Sequence, residues 1–197
     1  MLIVIEGIDG SGKSTQAKIL FDRLSKMSCK VALLAEPTNS IYGIKIREKL
    51  ASGEYTAEEL YELFVKDREL NAANIRRLLS RGYIVILDRY YISTIAYQGA
   101  QGIPIERILR DHKNFPQPDI VIILDIDPGK ALNRLKKKKD TFETQRFLEK
   151  VRAIYLEVPR ILAHLNSLIK VVDADRNPIE VSEEIWEIVR EKIHCRK

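Results

Sequence analysis

An α/β fold, a five-stranded parallel sheet flanked by helices on both faces, is the class this sequence predicts, and three observations predict it. Five short runs rich in Val, Ile and Leu are nearly continuous rather than alternating, as strands covered on both faces should be. The intervals between them are long enough for the helical crossovers that parallel strands require. Helix starts are marked by capping residues and first-turn prolines. A chain of 197 residues suits a single domain, and no Pro/Gly/Ser-rich linker or internal repeat divides it.

The first strand, Leu2–Ile5, runs into the glycine-rich Gly7–Ser14, and a helix is expected from Ser14 to about Lys26. Val31–Leu34 is the second strand. Thr56-Ala57-Glu58-Glu59 has the form of a capping box and opens a helix that reaches Leu79. Tyr83–Leu87 and Ile120–Leu124 are the third and fourth strands, and Asp127-Pro128 caps the helix that follows. The one low-complexity stretch, Lys136–Lys139, ends at Asp140 between two helical segments. It is expected to belong to a lid at about 134–146, a solvated helix face being the other reading. Leu168–Val172 is the fifth strand, and Asn177-Pro178 opens a last helix.

Composition narrows the function. Apolar residues make up 45% and charged residues 31%, which excludes a disordered or collagen-like chain. Lys plus Arg exceed Asp plus Glu by 33 to 28, a net charge of +5 that suits an anionic partner and leaves nucleotide, nucleic acid and anionic membrane open. Cys29 and Cys195 are too few for a stapled framework, so a reducing compartment is expected. No apolar run approaches the roughly 18 residues of a membrane span, and Met1–Glu6 offers no basic leader before the glycine-rich turn. A soluble, cytoplasmic chain is expected.

Gly7-Ile8-Asp9-Gly10-Ser11-Gly12-Lys13-Ser14 matches G-x-x-x-x-G-K-[ST] at every fixed position, with a strand before and a helix after it. Its glycines let backbone N–H groups turn inward around phosphate oxygens. Lys13 supplies charge to the β- and γ-phosphates of a nucleotide, the Ser14 hydroxyl suits Mg²⁺, and the helix N-terminus adds partial positive charge. Thr15 continues the motif. Ile84-Val85-Ile86-Leu87 followed by Asp88 is a Walker-B-like strand whose carboxylate suits Mg²⁺, directly or through water. Arg89 then sits at the carboxyl end of the sheet, where ligands bind in open α/β folds.

Taken together, Glu6 through Thr15, Glu36-Pro37, and Asp88-Arg89-Tyr90-Tyr91-Ile92-Ser93-Thr94-Ile95-Ala96-Tyr97-Gln98-Gly99 closely resemble the thymidylate kinase family, within the P-loop kinase architecture. Pro118-Asp119, Asp125-Ile126-Asp127-Pro128 and Asp173-Ala174 continue the resemblance over nearly the whole chain. It implies transfer of the γ-phosphoryl of ATP to dTMP, giving dTDP for dTTP biosynthesis, by a homodimer packed through helices flanking the sheet. It further implies that Arg89 grips the acceptor monophosphate, with Glu36 nearby, and that Arg134 lies near the adenine. Asp9 would accept a hydrogen bond from the sugar 3′-OH, a loop-capping aspartate being the alternative. The family's F-x-x-x-R pair, here Phe64 and Arg68, would stack on the thymine and bond its carbonyl. Arg68 and Asn71 interrupt an otherwise apolar helical stripe of Leu60, Phe64, Ile75 and Leu78, and an arginine there needs a partner. Tyr97 would lie where a ribose 2′-OH would go, and Ser93, Thr94 and Gln98 would serve the base edge.

The chemistry agrees, since transfer to an ionised phosphate needs spread positive charge rather than a general base. Three departures from the family stand out. Ala35 and Thr38-Asn39 replace an arginine and two glycines around Glu36-Pro37, so Lys45 or Arg47 is expected to compensate. Gly10 occupies a P-loop position where some members carry arginine, and Thr141 stands where the lid commonly has one. Charge on the transferring group is therefore expected from Lys136–Lys139. The nearest rival is a deoxynucleoside kinase using Glu36 as general base for thymidine. A GTP-dependent switch lacks its N-K-x-D motif here, and a nucleic-acid module lacks aromatic residues among those lysines.

Overall fold

The computed structural model describes residues 1–135 and 141–193, the side chains of 141–143 excepted. All five expected strands form: β1 (Leu2–Gly7), β2 (Val31–Ala35), β3 (Ile84–Asp88), β4 (Ile120–Asp125) and β5 (Leu168–Asp173). They make one parallel sheet in the order β2-β3-β1-β4-β5. The central strand β1 is wholly buried, as its unbroken apolar run demands.

The helices are α1 (Lys13–Lys26), α2 (Ile41–Ser52), α3 (Ala57–Ser80), α4 (Tyr91–Ala100), α5 (Ile105–His112), α6 (Pro128–Leu135), α7 (Thr141–Ile161) and α8 (Pro178–Arg190). The β1–β2 crossover runs in one direction across the sheet and the next three run in the other. Right-handed crossovers then put α1 on one face, with α8 beside it, and α3, α4 and α7 on the other. The sequence cues act as read. Thr56 Oγ1 accepts the Glu59 N–H at 3.1 Å while Glu59 accepts the Thr56 N–H at 3.0 Å. Asp127 Oδ1 accepts from the Lys130 N–H at 3.1 Å, and Asn177 Oδ1 from the Ile179 N–H at 2.9 Å.

This topology leaves β1 between β3 and β4, so the chain reverses its direction of winding at the carboxyl end of β1. That is where an open α/β sheet holds its ligand. Among the described residues no helix is long and apolar enough to cross a membrane. The expectation drawn from the cysteines falls partly on Cys195, which lies outside the described residues. Lys136–Lys139 also lie outside the described residues.

Candidate active site

The loop after β1 reaches its shape through three glycines at positive φ, Gly7, Gly10 and Gly12. Gly12 is the left-handed N-cap of α1. The Lys13 ammonium donates to the Ile8 carbonyl at 2.8 Å across the loop and is almost fully buried. Burial, then the charge of Arg89, lowers its pKa to about 7. The space over this loop is about 680 Å³, lined by Asp9–Gln16, Asp88 and Arg89 at one end and by Arg134, Ala174, Arg176 and Val181 at the other. Ser14 and Thr15 stand exposed in it on the first turn of α1. Arg134 is aimed by the Ala174 carbonyl, to which it donates at 3.0 Å.

Asp88 ends β3 directly beside Ile5 of β1. Its Oδ2 accepts from the Ser14 hydroxyl at 2.5 Å, and its Oδ1 is buried without a hydrogen-bond partner. Such an orphaned oxygen next to the P-loop serine is the donor set a hard divalent cation takes, so Ser14 and Asp88 fit Mg²⁺. Arg89 follows in a left-handed conformation, φ 69°. Its guanidinium pairs with Asp9, donates to Ser93 Oγ at 3.1 Å, and lies over the Tyr97 ring at 5.3 Å. The Tyr97 hydroxyl in turn accepts the Asp9 N–H at 3.1 Å. Beneath this group Glu6 is fully buried. It accepts from the N–H groups of Tyr90 and Ser93 at 2.7 and 3.2 Å, the Ser93 hydroxyl at 2.6 Å and the Tyr155 hydroxyl at 3.0 Å. Burial pushes its pKa up against those bonds.

A second, largely apolar cavity of about 280 Å³ opens between α3 and α4. Phe64, Arg68, Ser93, Thr94, Tyr97 and Gln98 all line it, and Asp9, Glu36 and Arg89 are common to both cavities. The arginine in the α3 stripe has the partner that burial requires. Arg68 Nε and Nη2 both lie 2.8 Å from Glu36 Oε2, with the two side chains 1% and 2% exposed. Asn71 Nδ2 donates to the other Glu36 oxygen at 2.9 Å. Arg68 Nη1 reaches Thr94 Oγ1 at 3.1 Å and His112 Nε2 at 2.7 Å. Burial raises the pKa of Glu36 and Arg68 opposes it.

The comparisons with known proteins address the whole chain. The family model for thymidylate kinase matches residues 5–185. The chain belongs to the thymidylate kinase family. It is 41% identical to a probable thymidylate kinase of Archaeoglobus fulgidus, over 100% of this chain and 98% of that one. It is 40% identical to the thymidylate kinase of Brachyspira hyodysenteriae, over 96% and 93%. Its fold matches the thymidylate kinase structure from Candida albicans with a TM-score of 0.79 at 31% identity, over 97% of this chain and 91% of that one. The activity this membership carries is ATP-dependent phosphorylation of dTMP by a nucleoside monophosphate kinase. The deoxynucleoside kinase reading is not favoured. Glu36, its required base, is taken up by Arg68 and Asn71.

Two departures from the family acquire physical reasons. A Cβ at Gly10 would stand 2.3 Å from the Ala131 carbonyl of α6, so an arginine has no room there. In the Thr38-Asn39 loop, Asp67 accepts from the Thr38 N–H at 2.8 Å, the Thr38 hydroxyl at 2.5 Å and the Ser40 hydroxyl at 2.6 Å. Arg47 is spent on the same loop, donating to the Pro37 carbonyl at 2.9 Å and to Asn39 Oδ1 at 3.2 Å. Sequence reasoning did not find Asp67, Glu6, Tyr155 or His112. Asp67 adjoins Arg68 on α3 and Glu6 opens the P-loop segment, which was the available signal; Tyr155 and His112 had none.

Proposed function

We propose that ATP fills the larger cavity and dTMP the smaller, and that the γ-phosphoryl group passes between them where Asp9, Glu36 and Arg89 border both, giving dTDP for dTTP biosynthesis. That shared border, with Lys13 and the P-loop directly behind it, is the observation that carries the reading. Lys13 and the loop N–H groups neutralise the donor phosphates and Arg89 holds the acceptor phosphate, which removes repulsion between the two anions. Arg134 lies against the adenine. Phe64 packs on the thymine and Arg68 donates to its carbonyl, with Thr94 and Gln98 along the base edge. Tyr97, fixed by the Asp9 N–H, fills the space of a ribose 2′-OH. Asp9 serves the sugar 3′-OH, and Ser93 acts chiefly on Arg89.

Ser14 and Asp88 hold Mg²⁺, which when bound offsets charge on the β- and γ-phosphate oxygens. A homodimer is supported by Ile41 and Ile44 on α2 and Leu70 on α3, which are exposed on two helices packed together. A cytoplasmic location agrees with ATP and dTMP as substrates. The test is ADP release measured across the nucleoside monophosphates and thymidine, with and without Mg²⁺. Mg²⁺-dependent turnover of dTMP is expected; robust turnover of AMP, GMP or CMP with none on dTMP would sink the reading.

A further inference from the structure

We infer that His112 is a positioning residue for base recognition: as a hydrogen-bond acceptor it fixes the Arg68 guanidinium so that Nη2 serves the base, an inference that rests on the reading of Arg68 above. Two contacts settle the state of the imidazole. Nδ1 lies 2.6 Å from the Ile108 carbonyl, one turn back on α5, and a carbonyl only accepts. Nδ1 therefore carries the hydrogen. Nε2 lies 2.7 Å from Arg68 Nη1, and a guanidinium only donates. Nε2 is therefore bare and accepts. A second proton would set N–H against N–H, and burial together with the Arg68 charge holds the pKa down at about 3. The ring cannot turn away, because Tyr91 stacks on it at 5.6 Å and Phe115 meets it edge-on at 5.2 Å.

A count of guanidinium hydrogens shows what this achieves. Arg68 has five N–H bonds to place. The two on Nη1 go to Thr94 Oγ1 and His112 Nε2, and Nε–H goes to Glu36 Oε2. Nη2 faces the same Glu36 oxygen with one hydrogen, leaving its other for a ligand. Arg68 and His112 are each 1% exposed, so water does not compete for these bonds. Without an acceptor at 112, one Nη1 hydrogen is buried and unpaired, and on the side of the fork away from Glu36 only the Thr94 hydroxyl still fixes its angle. Imidazole suits the place because it accepts without adding a second anion, and the Ile108 bond prevents it from presenting a donor.

The experiment uses the full chain with four substitutions. His112→Phe keeps a ring between Tyr91 and Phe115 but accepts nothing. His112→Gln can place Oε1 where Nε2 accepts, whereas His112→Asn reaches only the Nδ1 position. Arg68→Lys tests the underlying reading. Losing a bond to a charged group should raise the dTMP KM and Kd roughly 10-fold or more in the Phe and Asn variants. The ATP KM should stay within about 3-fold, the preference for dTMP over dCMP should narrow, and Gln should recover most of the loss. If Phe leaves dTMP binding and that preference unaltered, or if Gln and Asn bind dTMP alike, His112 only packs and the inference is overturned. Should Phe not fold, the Gln–Asn comparison decides. If Arg68→Lys leaves dTMP affinity untouched, the base-reading role of Arg68 fails, and the inference with it.

Discussion

The buried pair of Arg68 and Glu36 mixes two effects that a single substitution cannot separate. Arg68→Met removes the donor proposed for the base, but it also leaves the Glu36 carboxylate, 2% exposed, without its cation. Breaking a buried pair from one side costs about 3–5 kcal/mol. At this chain length each kcal/mol moves Tm by roughly 2–4 °C, so a drop of about 6–20 °C is expected. The loss should shrink as pH falls, because Glu36, already raised by burial, then binds a proton. Replacing both partners, Arg68→Met with Glu36→Gln, removes the stranded charge, while the oxygen of the new amide still accepts from Asn71. Most of the stability should return. The dTMP KM should not return: a bond from a charged donor is worth about 1.5–3 kcal/mol, or roughly 10- to 150-fold in affinity. Melting curves and steady-state kinetics on wild type, both single variants and the double variant complete the cycle. A double variant that regains dTMP affinity along with its stability would refute the base-reading role. One no more stable than Arg68→Met would refute the stranded-charge argument.

Three further outcomes are expected. Lys13→Ala should lower kcat by about 10²- to 10³-fold, as loss of one preorganised charge contact does, with unchanged far-UV circular dichroism; a loss under fivefold would place the charge elsewhere. Tyr97→Ala should narrow the preference for dTMP over its ribose counterpart, measured as the ratio of kcat/KM values, and an unchanged ratio removes Tyr97 from sugar selection. The His112 pKa is held at about 3 by burial and Arg68, against 6.5 ordinarily, so the unfolded chain takes up a proton that the folded chain refuses. Stability from this group is present above about pH 6.5 and is lost as pH falls towards 3, about 2 kcal/mol by pH 5. Urea unfolding at pH 7.5 and pH 5 should show that loss in wild type and not in His112→Gln; equal losses in both would assign the pH dependence to other groups.

What could be read from the sequence, and what could not, follows from the range of each interaction. The strands, the P-loop and the capping box are local patterns, each set by residues within one element. Asp88 and Arg89 announced themselves by ending an apolar run. The α3 stripe announced a buried arginine but not its partners, because Glu36 and His112 lie 32 and 44 positions away in the chain. A lone histidine on α5 has no local signature at all. The loop after Pro37 is the sharper case. Its missing glycines read only as a departure that Lys45 or Arg47 would offset, yet Thr38 and Ser40 bring the donors that Asp67 receives, so side chains hold what elsewhere a flexible backbone would trace. The one glycine this arrangement needs is Gly43, where a Cβ would come within 1.9 Å of the Thr38 carbonyl. Gly10 makes the same point from the other direction. Its motif allows any residue, but a φ of 83° strains any side chain there, and the approach of α6, with the Ala131 carbonyl in the space a side chain would need, closes the position to a cation. A motif states which atoms the phosphate requires. The packing of a distant helix decides which of its open positions a chain is able to use.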